Sequence, residues 1–166
     1  MTTATKTSTT KTSATKESPT AKDAIALLKA DHETVSDLFA DYEKTDSSKK
    51  KKAIVAEICT ELTVHTQIEE EIFYPAIKAA LKDKLVVPEA IVEHAGVKDL
   101  IAQLEGVEPN GVIFDAKVKV LSEYVEHHVK EEQNEMFPKV KASSLDLVEL
   151  GARMAARKAD LLAAHR

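Results

Sequence analysis

A chain of 166 residues with a formal net charge of −5 and 43% hydrophobic residues has room for one compact core. Its single cysteine, Cys59, excludes an internal disulfide and fits a reducing compartment. No apolar run approaches the roughly 18 to 20 residues of a membrane span, and the expected location is the cytoplasm.

Residues 1–22 hold twelve Ser or Thr, four Lys and one acid, Glu17. Such a segment buries too little apolar surface to offset its ordering entropy, so a disordered basic tail is expected over 1–22. The remaining 144 residues carry 19 basic and 27 acidic groups, and an acidic body gives no reason to expect a specific nucleic-acid partner.

From Asp23 onward, apolar residues recur at spacings of three and four, which predicts an all-α fold. A first helix is expected from an Asp23 N-cap to Lys44, with Ile25, Leu28, His32, Val35 and Phe39 inward and a turn at 45–48. A second runs from Lys49 past Pro75 to Leu81, with Ile54, Ile58, Leu62, His65, Glu69 and Ile72 on one face. A proline this far inside is expected to kink it. A third begins at Pro88 and ends at Leu104. After a loop over 105–111, a fourth reaches Lys141 and meets Pro138 as the second meets Pro75. A fifth helix, Ser144 to Ala164 within segment 142–166, is expected to pack outside a bundle formed by 23–141.

Onto these helices falls a motif written twice. His65-Thr-Gln-Ile-Glu69, with Pro75 six residues after the Glu, returns as His128-Val-Lys-Glu-Glu132 before Pro138. Upstream, Asp31-His32 followed by Val35, Asp37 and Leu38 is echoed by Glu93-His94 followed by Val97, Asp99 and Leu100. The separations, 33 residues from His32 to His65 and 34 from His94 to His128, agree to within one. On a helix, residues four apart share a face, so His65 with Glu69 and His128 with Glu132 each offer a nitrogen and an oxygen to the interior. Four imidazoles with two carboxylates favour a pair of transition metals over calcium or magnesium. A lone histidine on an apolar face is ordinarily a hydrogen-bonded core residue. Six such groups desolvated together are costly unless cations compensate them.

These residues resemble the bacterial hemerythrin-like proteins of the HHE cation-binding family over about Asp23 to Lys141. Phe73-Tyr74-Pro75 and Met136-Phe137-Pro138 match that family's aromatic-proline endings. The resemblance implies an up-down four-helix bundle and two non-haem iron ions, oxo- or hydroxo-bridged, with manganese or zinc as substitutes. It makes His32, His65, His94 and His128 terminal ligands and Glu69 and Glu132 the bridges. The oxygen-carrying members place a fifth His one turn after the third-helix His, where this chain has Lys98. That departure leaves a position for water, a nearby acid such as Glu70, Glu71, Glu131 or Glu135, or a phenol such as Tyr124.

His127 is rotated about 100° from His128 and belongs at the edge of such a site. His165 is expected in solvent, and Cys59 as a small buried hydrophobe. Nucleophile-base pairs, phosphate loops and CxxC pairs are missing from the sequence. The function implied by the resemblance is binding or sensing of O2, peroxide or nitric oxide by a monomer, in oxidative stress or iron homeostasis. The rival is a di-iron redox enzyme with oxidase or peroxidase-like activity.

Overall fold

The computed structural model describes residues 22–165, and those residues are helical with no strand among them. The expected disordered tail therefore lies, apart from Lys22, outside the described residues. The helices are α1 (Ala24–Glu43), α2 (Ser48–Ile68), α3 (Tyr74–Ala80), α4 (Val86–Leu104), α5 (Gly111–Glu131), α6 (Phe137–Lys141) and α7 (Leu147–Ala164). A π-helical turn, Glu69–Phe73, joins α2 to α3, and a second, Glu132–Met136, joins α5 to α6. Four rods result: α1, α2 with α3, α4, and α5 with α6.

Local chemistry sets the ends. Asp23, Ser47 and Asp146 cap α1, α2 and α7 by accepting from the backbone N–H of Ala26, Lys50 and Glu149. Gly106 and Gly111 bracket the α4–α5 loop at φ of 72° and 74°, a region that only glycine enters cheaply. The last helix starts three residues after the expected Ser144, because Asp146 provides the cap.

The prolines act through the π-helical turns. Pro75 and Pro138 bring no N–H and crowd the carbonyl four residues back. Just ahead of them the backbone N–H of Tyr74 and Phe137 reaches back five residues, to the carbonyls of Glu69 and Glu132. Each widened turn begins at one of the repeated glutamates, and such turns recur at functional sites.

Packing places a polar layer between two apolar ones. One cluster joins Ala24, Leu28, Ile68, Phe73, Tyr74, Ile77, Met136 and Phe137 to Leu150 and Met154 of α7. The other joins Val35, Phe39, Ile58, Leu62, Val97, Leu104, Phe114 and Leu121. Between them in every rod lie the buried polar residues Asp31, His32, His65, Thr66, Glu69, His94, His128 and Glu132. Outside the bundle, α7 lies against α1, α2 and the first π-helical turn. No described helix is long and apolar enough to cross a membrane.

Candidate metal centre

His32 enters the polar layer from α1, His65 from the end of α2, His94 from α4 and His128 from α5, while Glu69 and Glu132 open the two π-helical turns. All six predicted residues are buried, Glu69 completely and His32 at 7% exposure. The helix brings His65 Nε2 to 3.3 Å from Glu69 Oε1 and His128 Nε2 to 3.2 Å from Glu132 Oε2. Between rods, His32 Nε2 stands 3.4 Å from Glu132 Oε1 and His94 Nε2 stands 3.0 Å from Glu69 Oε2.

Each glutamate thus turns one oxygen to each half of the layer. One half gathers His32, His65 and the Oε1 atoms of both glutamates, and the other gathers His94, His128 and the Oε2 atoms. In the first half His32 Nε2, His65 Nε2, Glu69 Oε1 and Glu132 Oε1 are buried without a hydrogen-bond partner. Four orphaned polar atoms facing one another are unfavourable in a protein interior, and a cation removes that cost. Imidazole nitrogen and carboxylate oxygen form a donor set suited to iron, manganese or zinc.

Sequence reasoning missed one member of the layer. The Tyr74 hydroxyl sits in the second half, 3.1 Å from Glu69 Oε2, 3.1 Å from Glu132 Oε2 and 3.3 Å from His94 Nε2. A single phenol proton cannot serve both carboxylates at once. Burial, together with the two glutamate charges, raises the Tyr74 pKa well above that of a free phenol. Tyr124, the phenol offered by the sequence, lies elsewhere: it is half exposed, and its ring lies against Gly96.

Around the six lies a ring of partners on the outer imidazole nitrogens. His65 Nδ1 pairs with Asp31 Oδ2 at 3.1 Å, His128 Nδ1 with Glu93 Oε2 at 3.2 Å and His94 Nδ1 with Glu70 Oε1 at 2.9 Å. It is the amide nitrogen of Gln133, Nε2, that stands 2.9 Å from His32 Nδ1. An amide rotated oxygen-inward accepts from Nδ1–H as a carboxylate does. A proton held on Nδ1 turns the Nε2 lone pair inward and strengthens it as a donor.

This ring repeats with the motif. Asp31 and Glu93 each precede the first His of a repeat and support the second. Glu70 and Gln133 each follow a glutamate of the layer and support the first His of the other repeat. The sequence carried that signal in the paired dipeptides Asp31-His32 and Glu93-His94, and again in Glu69-Glu70 and Glu132-Gln133.

Lys98 does not reach into the layer. Its Nζ binds Glu70 at 2.6 and 2.8 Å, bracing the carboxylate behind His94. His127 is exposed and pairs with Glu131 at 3.1 Å, outside the layer as expected. His165 Nδ1 bonds the Leu161 carbonyl at the end of α7, and Cys59 is buried in the second apolar cluster.

The electrostatics bear on loading. Burial opposes charge on His65 and His128, but the glutamates beside them and the carboxylates on their outer nitrogens win. His65 is raised well above the ordinary imidazole value, and His128 is raised to about 10. Both imidazoles therefore hold a second proton more tightly than a free imidazole does, and a cation binding at their Nε2 atoms would have to displace it. Metal binding is expected to release protons and to tighten from pH 7 toward 10, which a pH-indicator titration reads. Because both pKa values are raised, their contribution to metal-free stability is complete below the unfolded value of about 6.5 and fades as pH climbs through the folded values. A proton-neutral, pH-independent loading contradicts this.

An apolar cavity of about 20 Å³ adjoins the four imidazoles, walled by Val35, Leu62, Val97, Val125 and Val129. That space suits a molecule about the size of water. On the far side of His32, Val125 and Val129, a surface groove of about 520 Å³ runs between α1 and α5 past Ser36, Gln133 and Asn134.

Residues 23–140 match the hemerythrin HHE cation binding domain. The chain is 30% identical over 114 residues to the uncharacterized protein Rv2633c of Mycobacterium tuberculosis, covering 67% of this chain and 69% of that one. It is 25% identical over 115 residues to a DNA nickase of Nostoc, spanning 69% of this chain and only 32% of that relative's length. A crystal structure of an HHE cation binding domain-containing protein from Mycobacterium kansasii superposes with a TM-score of 0.73 at 27% identity, covering 86% of this chain and 89% of the other.

Proposed function

The chain belongs to the hemerythrin HHE cation binding family, and from that premise we propose that it is a non-haem di-iron protein that binds or senses O2 or a related small oxidant. The observation that carries the proposal is the split of both glutamates: each gives one oxygen to His32 and His65 and the other to His94 and His128. Two carboxylates shared in this way suit two cations side by side rather than one.

On this reading His32 and His65 would hold one iron, His94 and His128 would hold the other, and Glu69 and Glu132 would serve both. Tyr74 offers a further oxygen to the His94–His128 side, so the His32–His65 side has fewer protein donors. Bound iron supplies the electrons and Lewis acidity that a diatomic or peroxide ligand requires. The protein supplies the rest. Asp31, Glu70, Glu93 and Gln133 fix the imidazole planes, the valine-walled cavity keeps bulk water from the imidazoles, and its volume favours a diatomic or peroxide-sized ligand over a larger substrate.

Tyr74 also favours a second reading, a redox enzyme with oxidase or peroxidase-like turnover. A phenol within 3.1 Å of both carboxylates keeps a proton at the centre of the layer, and proton delivery is what oxidant reduction needs and simple carriage does not. Optical spectra of iron-loaded protein, reduced anaerobically and then exposed to air or peroxide, separate the two. Bands that reverse on deoxygenation support binding or sensing, and bands that recur with peroxide consumption support turnover.

Replacing Tyr74 by Phe tests the donor role. Ferric protein is expected to lose a visible phenolate band in Tyr74→Phe while still holding two irons; an unchanged visible spectrum contradicts the assignment.

A further inference from the structure

The last helix lies outside the stretch matched to the family, residues 23–140, yet it reaches the polar layer. Lys158 of α7 pairs with Oδ1 of Asp31, whose other oxygen, Oδ2, bonds His65 Nδ1 at 3.1 Å. Asp31 is only 4% exposed. A buried carboxylate is held in place by its partners, because losing one leaves a charge without compensation. His65 therefore owes its orientation to a carboxylate that is itself gripped from outside the bundle.

Two further contacts fix where that grip falls. Arg157 binds Glu71 of the first π-helical turn, Nε to Oε2 at 2.7 Å and Nη2 to Oε1 at 3.1 Å. Near the start of α7, Gly151 lies against the first residues of α1. A Cβ there would stand 2.6 Å from the Lys22 carbonyl oxygen and 2.7 Å from the Ala24 nitrogen. The backbones touch at one point and the side chains lock two turns later, which brings Lys158 over Asp31.

The other half of the layer has an equivalent built from within the bundle: Lys98 binds Glu70, and Glu70 supports His94. Only the His65 side draws its cation from α7.

We propose that Lys158 is a positioning residue for the metal centre, holding Asp31 and through it His65, so that this one contact from α7 sets how firmly the His32–His65 side retains its metal. This rests on the reading of the six buried residues as metal ligands. Supporting partners of ligand histidines typically change metal affinity about 10- to 100-fold when removed, and an effect of that size is expected here on one metal of the pair.

The test is cobalt(II) release from the full-length loaded protein into excess chelator, with the visible cobalt spectrum recorded alongside. Lys158→Met is expected to release one cobalt about 10- to 100-fold faster than wild type, with altered visible bands, while Lys158→Arg restores both. Arg157→Gln loosens the same helix without touching Asp31 and is expected to keep the wild-type spectrum. If Lys158→Met folds and releases both cobalts at the wild-type rate, the proposal falls. It also falls if Arg157→Gln reproduces the Lys158→Met release and spectrum, since docking in general would then be responsible. Wild-type protein that takes up no cobalt overturns the reading of the centre itself before any variant is compared.

Discussion

His65→Ala is expected to lose bound metal and stability together. The substitution removes the nitrogen facing Glu69 Oε1 and, on the other side of the ring, the partner of Asp31 Oδ2. Glu69 is completely buried, with its carboxyl held well below the usual carboxylate range. Burial pushes it up, and the imidazoles of His65 and then His94 beside it overcome that. Breaking such a pair by deleting one partner costs about 3–5 kcal/mol. In a domain of this size the melting temperature should fall on the order of 10 °C. Metal analysis should show at least one equivalent missing. His127→Ala, exposed and outside the layer, serves as the control that changes neither. Wild-type metal content and melting in His65→Ala would sink the ligand assignment.

Gly151→Ala is the second large effect, and it comes from shape alone. The added Cβ would meet backbone atoms of Lys22, Asp23 and Ala24 at 2.6 to 2.7 Å, and backbone cannot swing aside as a side chain can. Either α7 lifts or the start of α1 shifts. Overpacking of this kind costs about 1–3 kcal/mol, and lifting α7 also uncovers Leu150 and Met154, which are buried against the α1 and α3 cluster. Chemical denaturation should show the loss, with helical content nearly unchanged. A stability within about 0.5 kcal/mol of wild type, the range of an ordinary surface change, would mean that α7 is not seated as described.

The bundle and the six repeated His and Glu residues of its polar layer were legible because helical geometry makes sequence spacing a statement about direction. Four residues apart means one face, and a doubled motif at matching separations means two halves facing one another. The Asp23 cap and the C-terminal ends of α1 and α4 followed from equally local rules, whereas α4 starts at Val86, two residues before the expected Pro88.

What escaped the sequence lies where the period changes or where helices meet. A 3.6-residue repeat places Ile72 inward after Glu69, whereas the π-helical turn adds residues to that turn and buries Phe73 and Tyr74 instead, leaving Ile72 part exposed. The same widening carries the Tyr74 hydroxyl to the two glutamates, so Tyr74 could not be found by counting in threes and fours. Lys98 read as a gap in the ligand set, because its partner Glu70 lies on another rod. Lys158 was invisible for the same reason: it acts on Asp31 from 127 residues away.

The measurement that bears most directly on the whole account is an anaerobic titration of the metal-free, full-length protein with ferrous iron, counting the iron retained after removal of excess. Two irons per chain, falling to one or none in Glu69→Ala and Glu132→Ala, is the predicted result, since each glutamate serves both halves of the layer. Retention of no iron by the wild-type protein, or of two by both glutamate variants, would contradict a carboxylate-bridged pair.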